Sequence, residues 1–152
     1  MYDYYGLPRD FPGRDSAQGK DGYSRVKRVE EAMADDINNR RFIPYIQLHE
    51  FEGLLFSLPE LIADELETPG TDEHQKLIAG LQTIRARFSS PEDINDDPEK
   101  HPSKRIMRLA AHYNKILHGT LIARSIGIEK IRGQCPHFNE WLTKLEGLSQ
   151  EK

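Results

Sequence analysis

The run FIPYIQL, residues 42–48, most constrains what this chain can fold into. It is rich in β-branched and aromatic residues and has apolar positions on both faces, which predicts a strand of a covered parallel sheet. One other segment, the opening MYDYY, also has the composition of a strand, and it ends before Gly6 and Pro8. Because a two-stranded unit is marginally stable, this small sheet needs further partners.

Helical periodicity accounts for most of the remaining chain. The first predicted helix is capped by Ser24 and has Val26, Val29, Met33 and Ile37 inward. A short helix is predicted within 50–56, another from a capping box at Ser57–Glu60 through Leu66, and a further one from Thr71. Beyond these we predict one amphipathic helix from Ile106 to Leu117, closed by Gly119, and helices around 120–132 and 137–147. The fold class is therefore α/β, with strand, helix and strand followed by helices. We expect a single domain, 1–152, whose residues 1–57 carry an acidic site and whose residues 58–152 are helical.

Composition limits the class of protein. The 152 residues are 37% hydrophobic and 30% charged, and no apolar stretch is long enough to span a bilayer. The N-terminus has neither the basic nor the apolar region of a secretory signal. A lone cysteine, Cys135, forms no internal disulfide and suits a reducing cytoplasm, and we predict that it is a small buried hydrophobe and not a nucleophile.

The net charge of −4 hides an uneven distribution. Residues 1–100 carry 12 Lys and Arg against 21 Asp and Glu, a balance of −9, whereas residues 101–152 carry 9 against 4, a balance of +5. This layout suits a metal site beside a surface that binds a polyanion. It equally suits two halves that pair with each other, and composition alone does not decide between them.

Three carboxylates follow the two predicted strands. Glu50 and Glu52 come directly after the second strand, in His49-Glu50-Phe51-Glu52, and Asp3 lies near the end of the first. Ligands of open α/β sheets bind beyond the carboxyl ends of the strands, so these side chains predict an Mg²⁺ or Mn²⁺ site, with His49 as an orienting residue or base. The alternative is that the glutamates are solvated residues at a helix start, where the helix dipole favours them, while Asp3 bonds the glycine-rich loop.

Basic residues recur in the helix predicted after Pro102. Arg105, Arg108, His112 and Lys115 are spaced three or four residues apart, opposite the apolar positions. Such a ridge can contact nucleic-acid phosphates, but it is also what the solvated face of an amphipathic helix looks like. Residues that we expect to contribute to the same pocket are Asp93, Asn95 and Lys104.

Four blocks together resemble one known family: MYDYYGLPRDFPG, IPYIQLHEFEGLLF, PEDINDDPEKHPSKRI and IEKIRGQCPHFNEWLTKLE. The chain is similar over nearly its whole length to the bacterial family called domain of unknown function 4276, which is regarded as related to the Toprim fold. The resemblance implies a Toprim/Rossmann-like sheet. Asp3 resembles the first aspartate of the Asp-x-Asp pair with which Toprim domains hold Mg²⁺, whereas Tyr5 replaces the second. The strand that carries the Toprim glutamate would lie before Met1.

The resemblance also implies a function. We expect a metal-dependent, nuclease-like protein that cleaves phosphodiesters in phage defence or repair, beside an ATPase partner. The expected roles are His49, Glu50 and Glu52 in catalysis, Asp3, Glu50 and Glu52 on Mg²⁺ or Mn²⁺, and Lys104, Arg105, Arg108 and Lys115 on nucleic acid. The alternative is a non-catalytic interaction or regulatory module. Because the family's first strand is missing, we expect a truncated, incomplete sheet that is inactive alone and self-associates through an unpaired edge.

Overall fold

The structure, a computed structural model, describes residues 2–15, 21–95 and 101–148. Its two strands pair in parallel, β1 (Tyr2–Asp3) beside β2 (Ile46–Gln47), with Tyr2 opposite Ile46. The predicted strand–helix–strand order is therefore confirmed. Two stretches that the sequence predicts to be loops, the glycine-rich residues 6–22 and the polar, proline-containing residues 89–102, lie partly outside the described residues.

The second strand is shorter than the predicted span 42–48. Residues 42–45 have no regular structure, and Pro44 has no N–H to give to a ladder. The N–H of Ile46 donates to the carboxylate of Glu30 at 2.8 Å. A side chain therefore takes the backbone donor that a neighbouring strand would otherwise use.

Helix α1 (Gly22–Ile37) connects the strands and begins earlier than predicted. Asp21 is its N-cap, because the Asp21 carboxylate accepts from the Ser24 N–H at 2.8 Å. The prediction that Ser24 caps the helix is wrong. Val26 and Val29 are fully buried as predicted, whereas Ile37 at the last turn is about half exposed.

The first of two compact units combines residues 1–48 with residues 137–152, and thus most of the last helix, α8 (Pro136–Gly147). Its core comprises Leu7, Val26, Val29, Ile46 and Leu48. Aromatic rings of α8 cover Tyr45, whose ring centroid lies 4.9 Å from those of both His137 and Trp141. His137 also contacts both carboxylate oxygens of Glu30, at 3.0 and 3.1 Å. The unit therefore brings α8 together with residues of α1 and with the residue before β2.

The second compact unit is helical and spans residues 49–136. Helix α3 packs against α4 and α6, and α2 packs against α5 and α6. Buried Leu, Ile and Phe side chains fill the space between them. The helices are α2 (Glu52–Leu55), α3 (Pro59–Leu66), α4 (Asp72–Arg85), α5 (Pro102–Leu109), α6 (Lys115–Ile126) and α7 (Ile128–Gln134).

Two predicted helix starts have different outcomes. Thr71 caps α4 as predicted, with its hydroxyl accepting from the His74 N–H. The capping box predicted at Ser57 is wrong, because Leu58 is the N-cap of α3 and makes no side-chain cap. The Ser57 hydroxyl lies instead 3.4 Å from the buried Cys135 sulfur.

The single helix predicted from Ile106 to Leu117 is wrong, since α5 ends at Leu109 and α6 begins at Lys115. Asn114 caps α6, and its side-chain oxygen accepts two backbone N–H groups at 3.0 Å. Gly119 does not close a helix but lies within α6, where a Cβ would approach the Tyr113 hydroxyl to 3.2 Å. The predicted helix 120–132 is likewise divided, at Gly127, whose φ is +79°.

The chain is thus α/β, with a two-stranded parallel sheet and mostly helical structure in the described part. The Toprim/Rossmann-like topology and the single-domain organisation stay predictions. No helix in the described ranges is long and apolar enough to cross a membrane.

Candidate functional site

The segment after β2 places two glutamates in the interior. Residues 49–51 turn directly into α2, and the Gly53 N–H donates to the Glu50 carbonyl at 2.9 Å. Gly53 permits this packing, because a Cβ there would lie 3.2 Å from the Pro91 carbonyl. Glu50 is 4% exposed and Glu52 is 5% exposed. The alternative of solvated residues at a helix start is therefore wrong.

Glu50 has a partner for each of its carboxylate oxygens. Oε1 accepts from the Lys115 ammonium at 2.8 Å, and Oε2 accepts from the backbone N–H of Ser103 at 2.9 Å. Ser103 lies in the first turn of α5, where backbone N–H groups have no partner inside the helix. Burial by itself would raise the pKa of Glu50, but the hydrogen bonds from Lys115 and Ser103 outweigh it and hold the pKa below its usual value.

The ammonium group of Lys115 forms ion pairs with both carboxylates. Lys115 Nζ lies 2.8 Å from Glu50 Oε1 and 3.7 Å from Glu52 Oε1. Its side chain is 46% exposed, so the cation reaches the buried pair from the surface. Two adjacent glutamates would repel each other, and a positive charge between them relieves this repulsion.

Tyr113 completes the buried cluster. It is 5% exposed, and its hydroxyl makes no hydrogen bond of ordinary geometry with the described residues. Burial raises the pKa of Tyr113. The negative charge and the nearby carboxylate oxygen of Glu52 raise this pKa further, as does the negative charge of Glu50. The phenol is therefore neutral and lies beside the carboxylates.

His49 and Asn95 lie together in the second unit. The amide nitrogen of Asn95 is 3.1 Å from His49 Nδ1, so when that amide donates, the imidazole proton is on Nε2. The Asp93 carboxylate accepts from the Ser90 N–H and closes a capping box, and its contribution to the predicted pocket stays a prediction. Glu92, beside it, is 3% exposed and is a further buried acid.

Asp3, the third predicted ligand, lies in the first unit, at the end of β1 opposite Gln47. Its role as a ligand stays a prediction. No group of three or more His, Cys, Asp or Glu side chains within residues 2–15, 21–95 and 101–148 is arranged to hold a metal ion.

The predicted basic ridge is divided by the break between α5 and α6. Lys104, Arg105 and Arg108 lie on α5, and the Arg105 guanidinium stacks 5.4 Å from the Phe88 ring centroid. Lys115 lies on the next helix and contacts the glutamates. His112 lies between the two helices, so the predicted single stripe of Arg105, Arg108, His112 and Lys115 is wrong. Phosphate contacts stay a prediction for Lys104, Arg105, Arg108 and Lys115.

No sequence pattern signalled the parts that Ser103 and Tyr113 play in the cluster or the burial of nearby Glu92. Ser103 acts through its backbone, which no residue pattern reveals. Tyr113 reads as one of the apolar positions of a helix, and Glu92 reads as one of many charges in a polar connector. Their burial follows from packing between distant segments.

Cys135 has the predicted character. It is fully buried, and burial raises the pKa of its thiol to about 12, so the thiolate needed for nucleophilic chemistry is scarce at neutral pH.

Residues 1–146 match the family described as domain of unknown function (DUF4276). The chain belongs to this family. The predicted membership is confirmed, and the Toprim relationship stays a prediction. No curated protein and no solved structure matches the chain. A function for this DUF4276 member must therefore be argued from its own side chains.

Proposed function

We propose that this DUF4276 protein is a metal-dependent, nuclease-like phosphodiesterase in which Glu50 and Glu52 bind Mg²⁺ or Mn²⁺. One observation supports this proposal: two buried carboxylates converge on a single cation, the Lys115 ammonium, at 2.8 and 3.7 Å. Mg²⁺ is commonly held by only one or two carboxylates, and water and substrate phosphates complete its coordination.

The donor set fits a hard divalent cation. Both groups supply oxygen only, and the lowered pKa keeps Glu50 ionised at neutral pH. When bound, the metal would polarise a phosphoryl oxygen and lower the pKa of a bound water. When the Asn95 amide donates to His49 Nδ1, the Nε2–H of His49 is a donor that can orient a phosphate oxygen.

The remaining roles extend the same proposal. Lys104, Arg105 and Arg108 contact phosphates along α5, and Lys115 does so when it is not bound to the glutamates. The protein acts in the cytoplasm beside an ATPase partner, and the short two-stranded sheet offers an edge for self-association.

A second candidate function is a non-catalytic interaction or regulatory module. The observation that favours it is the same Lys115 contact, since an ammonium already in place can make the glutamates a structural ion pair. Buried pairs of this kind add little net stability yet are costly to break. Metal affinity distinguishes the two candidates.

The test is calorimetric titration of the whole chain with Mn²⁺. We expect Glu50→Gln to weaken binding by about tenfold or more, because even groups that only support a metal ligand have effects of that size. Glu129→Gln is the matched control, since Glu129 is an exposed glutamate. Mn²⁺-dependent cleavage of single- and double-stranded DNA and RNA should fall with the same variant. Measurable Mn²⁺ binding by the wild type that is equally tight in Glu50→Gln would refute the metal site and favour the module.

A further inference from the structure

We propose that Lys115 couples metal binding to phosphate binding: its ammonium occupies the cation position between Glu50 and Glu52, and a divalent cation releases it to contact substrate phosphate. This inference rests on the proposed function and adds a regulatory device to the same site. It requires that the Lys115 ammonium can leave, that the two carboxylates remain in place, and that a divalent cation suits the position between them better than an ammonium does.

The Lys115 side chain can change partners. Its side chain is 46% exposed, and it is the first residue of α6, directly after the Asn114 cap. A lysine ammonium is a compact charge on a flexible four-carbon stem, so it can exchange one partner for another without moving the helix.

The carboxylates are fixed by other contacts. Glu50 keeps the Ser103 backbone N–H at 2.9 Å when the ammonium leaves. Glu52 lies at the start of α2, and its side chain is only 6% exposed. The two carboxylates therefore stay in place when the cation between them is exchanged.

Charge favours the divalent ion. Two glutamates face one ammonium, so with both carboxylates ionised the three groups carry a net charge of −1, whereas a divalent cation in place of the ammonium would bring the total to zero. The Tyr113 hydroxyl independently supports a hydrated cation at this position. It is buried beside Glu52 and makes no hydrogen bond of ordinary geometry with the described residues. Mg²⁺ and Mn²⁺ retain water ligands, and such a water is a fitting partner for this hydroxyl.

The exchange links two ligands. In the metal-free protein the ammonium is held by Glu50, and a phosphate must compete for it. Metal binding removes this competition, so metal and phosphate each strengthen the binding of the other by the same factor.

Amine footprinting of the wild type tests the release directly. Lysines are labelled briefly with an amine-reactive ester, with and without Mn²⁺, and the sites are quantified by mass spectrometry. We expect Mn²⁺ to raise the labelling of Lys115 by about fivefold or more, the lower range of allosteric coupling. Lys130, an exposed lysine on α7, is the internal control and should not change.

Variants test the coupling. Lys115→Gln should bind Mn²⁺ about fivefold or more tightly than the wild type, because the competing charge is gone, whereas Lys115→Arg and Lys130→Gln should stay close to the wild type. Mn²⁺ should strengthen binding of a fluorescent oligothymidine to the wild type by a similar factor, and this gain should be lost in Lys115→Gln.

The outcomes separate the two proposals. Mn²⁺ binding that Glu50→Gln weakens, together with unchanged Lys115 labelling and unchanged affinity in Lys115→Gln, overturns the coupling and leaves the metal site standing. Absence of Mn²⁺ binding in both the wild type and Lys115→Gln overturns both. Binding by Lys115→Gln alone supports the coupling, because the lysine then outcompetes the metal. The footprint uses the native chain, so it decides the question even if a variant fails to fold.

Discussion

At the scale of single residues, the environment of Glu50 explains why an acid can lie in the core. A buried, unpaired carboxylate is strongly destabilising, yet Glu50 has an ammonium on one oxygen and a backbone N–H on the other. These partners make the ionised form the stable one. Lys115 is half exposed, so its part of this stabilisation is weaker than in a fully buried pair.

We predict that the stability of the second unit depends on pH through Glu50. Because its pKa is lowered in the folded state, the stabilisation is complete above the ordinary value of 4.5 and is lost as the pH falls through the folded pKa. Urea unfolding between about pH 6 and about pH 3 should show a steeper loss in the wild type than in Glu50→Gln. Glu129→Gln, which removes an exposed carboxylate, should keep the wild-type slope. Identical slopes in all three proteins would contradict this assignment.

At the scale of elements, local caps decide where helices begin. The apolar spacing of Ile106, Ala110 and Tyr113 fits one long helix, but the chain makes two. Asn114 starts the second by satisfying the N–H groups of Ile116 and Leu117. The break places Lys115 at the beginning of a helix, from which it reaches Glu50.

We predict that Asn114→Ala lowers the free energy of unfolding by about 1 kcal/mol, the usual cost of losing an N-cap. Asn114→Ser is the matched control and should retain most of the stability, because serine also caps. Urea denaturation monitored by circular dichroism measures both. A stable Asn114→Ala with a destabilised Asn114→Ser would contradict the capping role.

At the scale of the whole molecule, the first unit depends on contact between α8 and the segment around β2, which are far apart in sequence. Tyr45 lies directly before β2, and α8 supplies the rings of His137, Phe138 and Trp141 against it. His137 also holds Glu30, whose carboxylate accepts the Ile46 N–H. Helix α8 thus supports β2 in two ways: its rings pack against Tyr45, and His137 positions the Glu30 carboxylate that accepts the Ile46 N–H.

We predict that Trp141→Ala destabilises the first unit by about 2–3 kcal/mol, less than for a fully buried tryptophan because Trp141 is half-buried. Hydrogen exchange measured by mass spectrometry should rise in residues 22–48 and change little in α3 and α4. Lys144→Ala, an exposed change on the same helix, should leave exchange as it is. Unaltered exchange in residues 22–48 of Trp141→Ala would show that α8 does not support the strand.

The sequence by itself determined the class of elements and much of their order. β-branched and aromatic composition predicted the two strands, and helical spacing of apolar residues predicted α1, α3, α4 and α8, because both signals depend on local burial. Residue type predicted that Cys135 is buried and unreactive. Four segments of the sequence, beginning with MYDYYGLPRDFPG, were enough to indicate the family.

Only the tertiary structure decided what lies between the glutamates. Glu50 and Lys115 are separated by 65 positions, and a lysine on a helix has the same local pattern whether it faces solvent or a buried acid. The break at residues 110–114 escaped prediction because the apolar spacing continues across it, whereas the Asn114 cap that begins α6 is a single polar residue within that spacing. Local periodicity records which side of a helix is buried, whereas the partner of a charge is chosen by the packing of segments far apart in the chain.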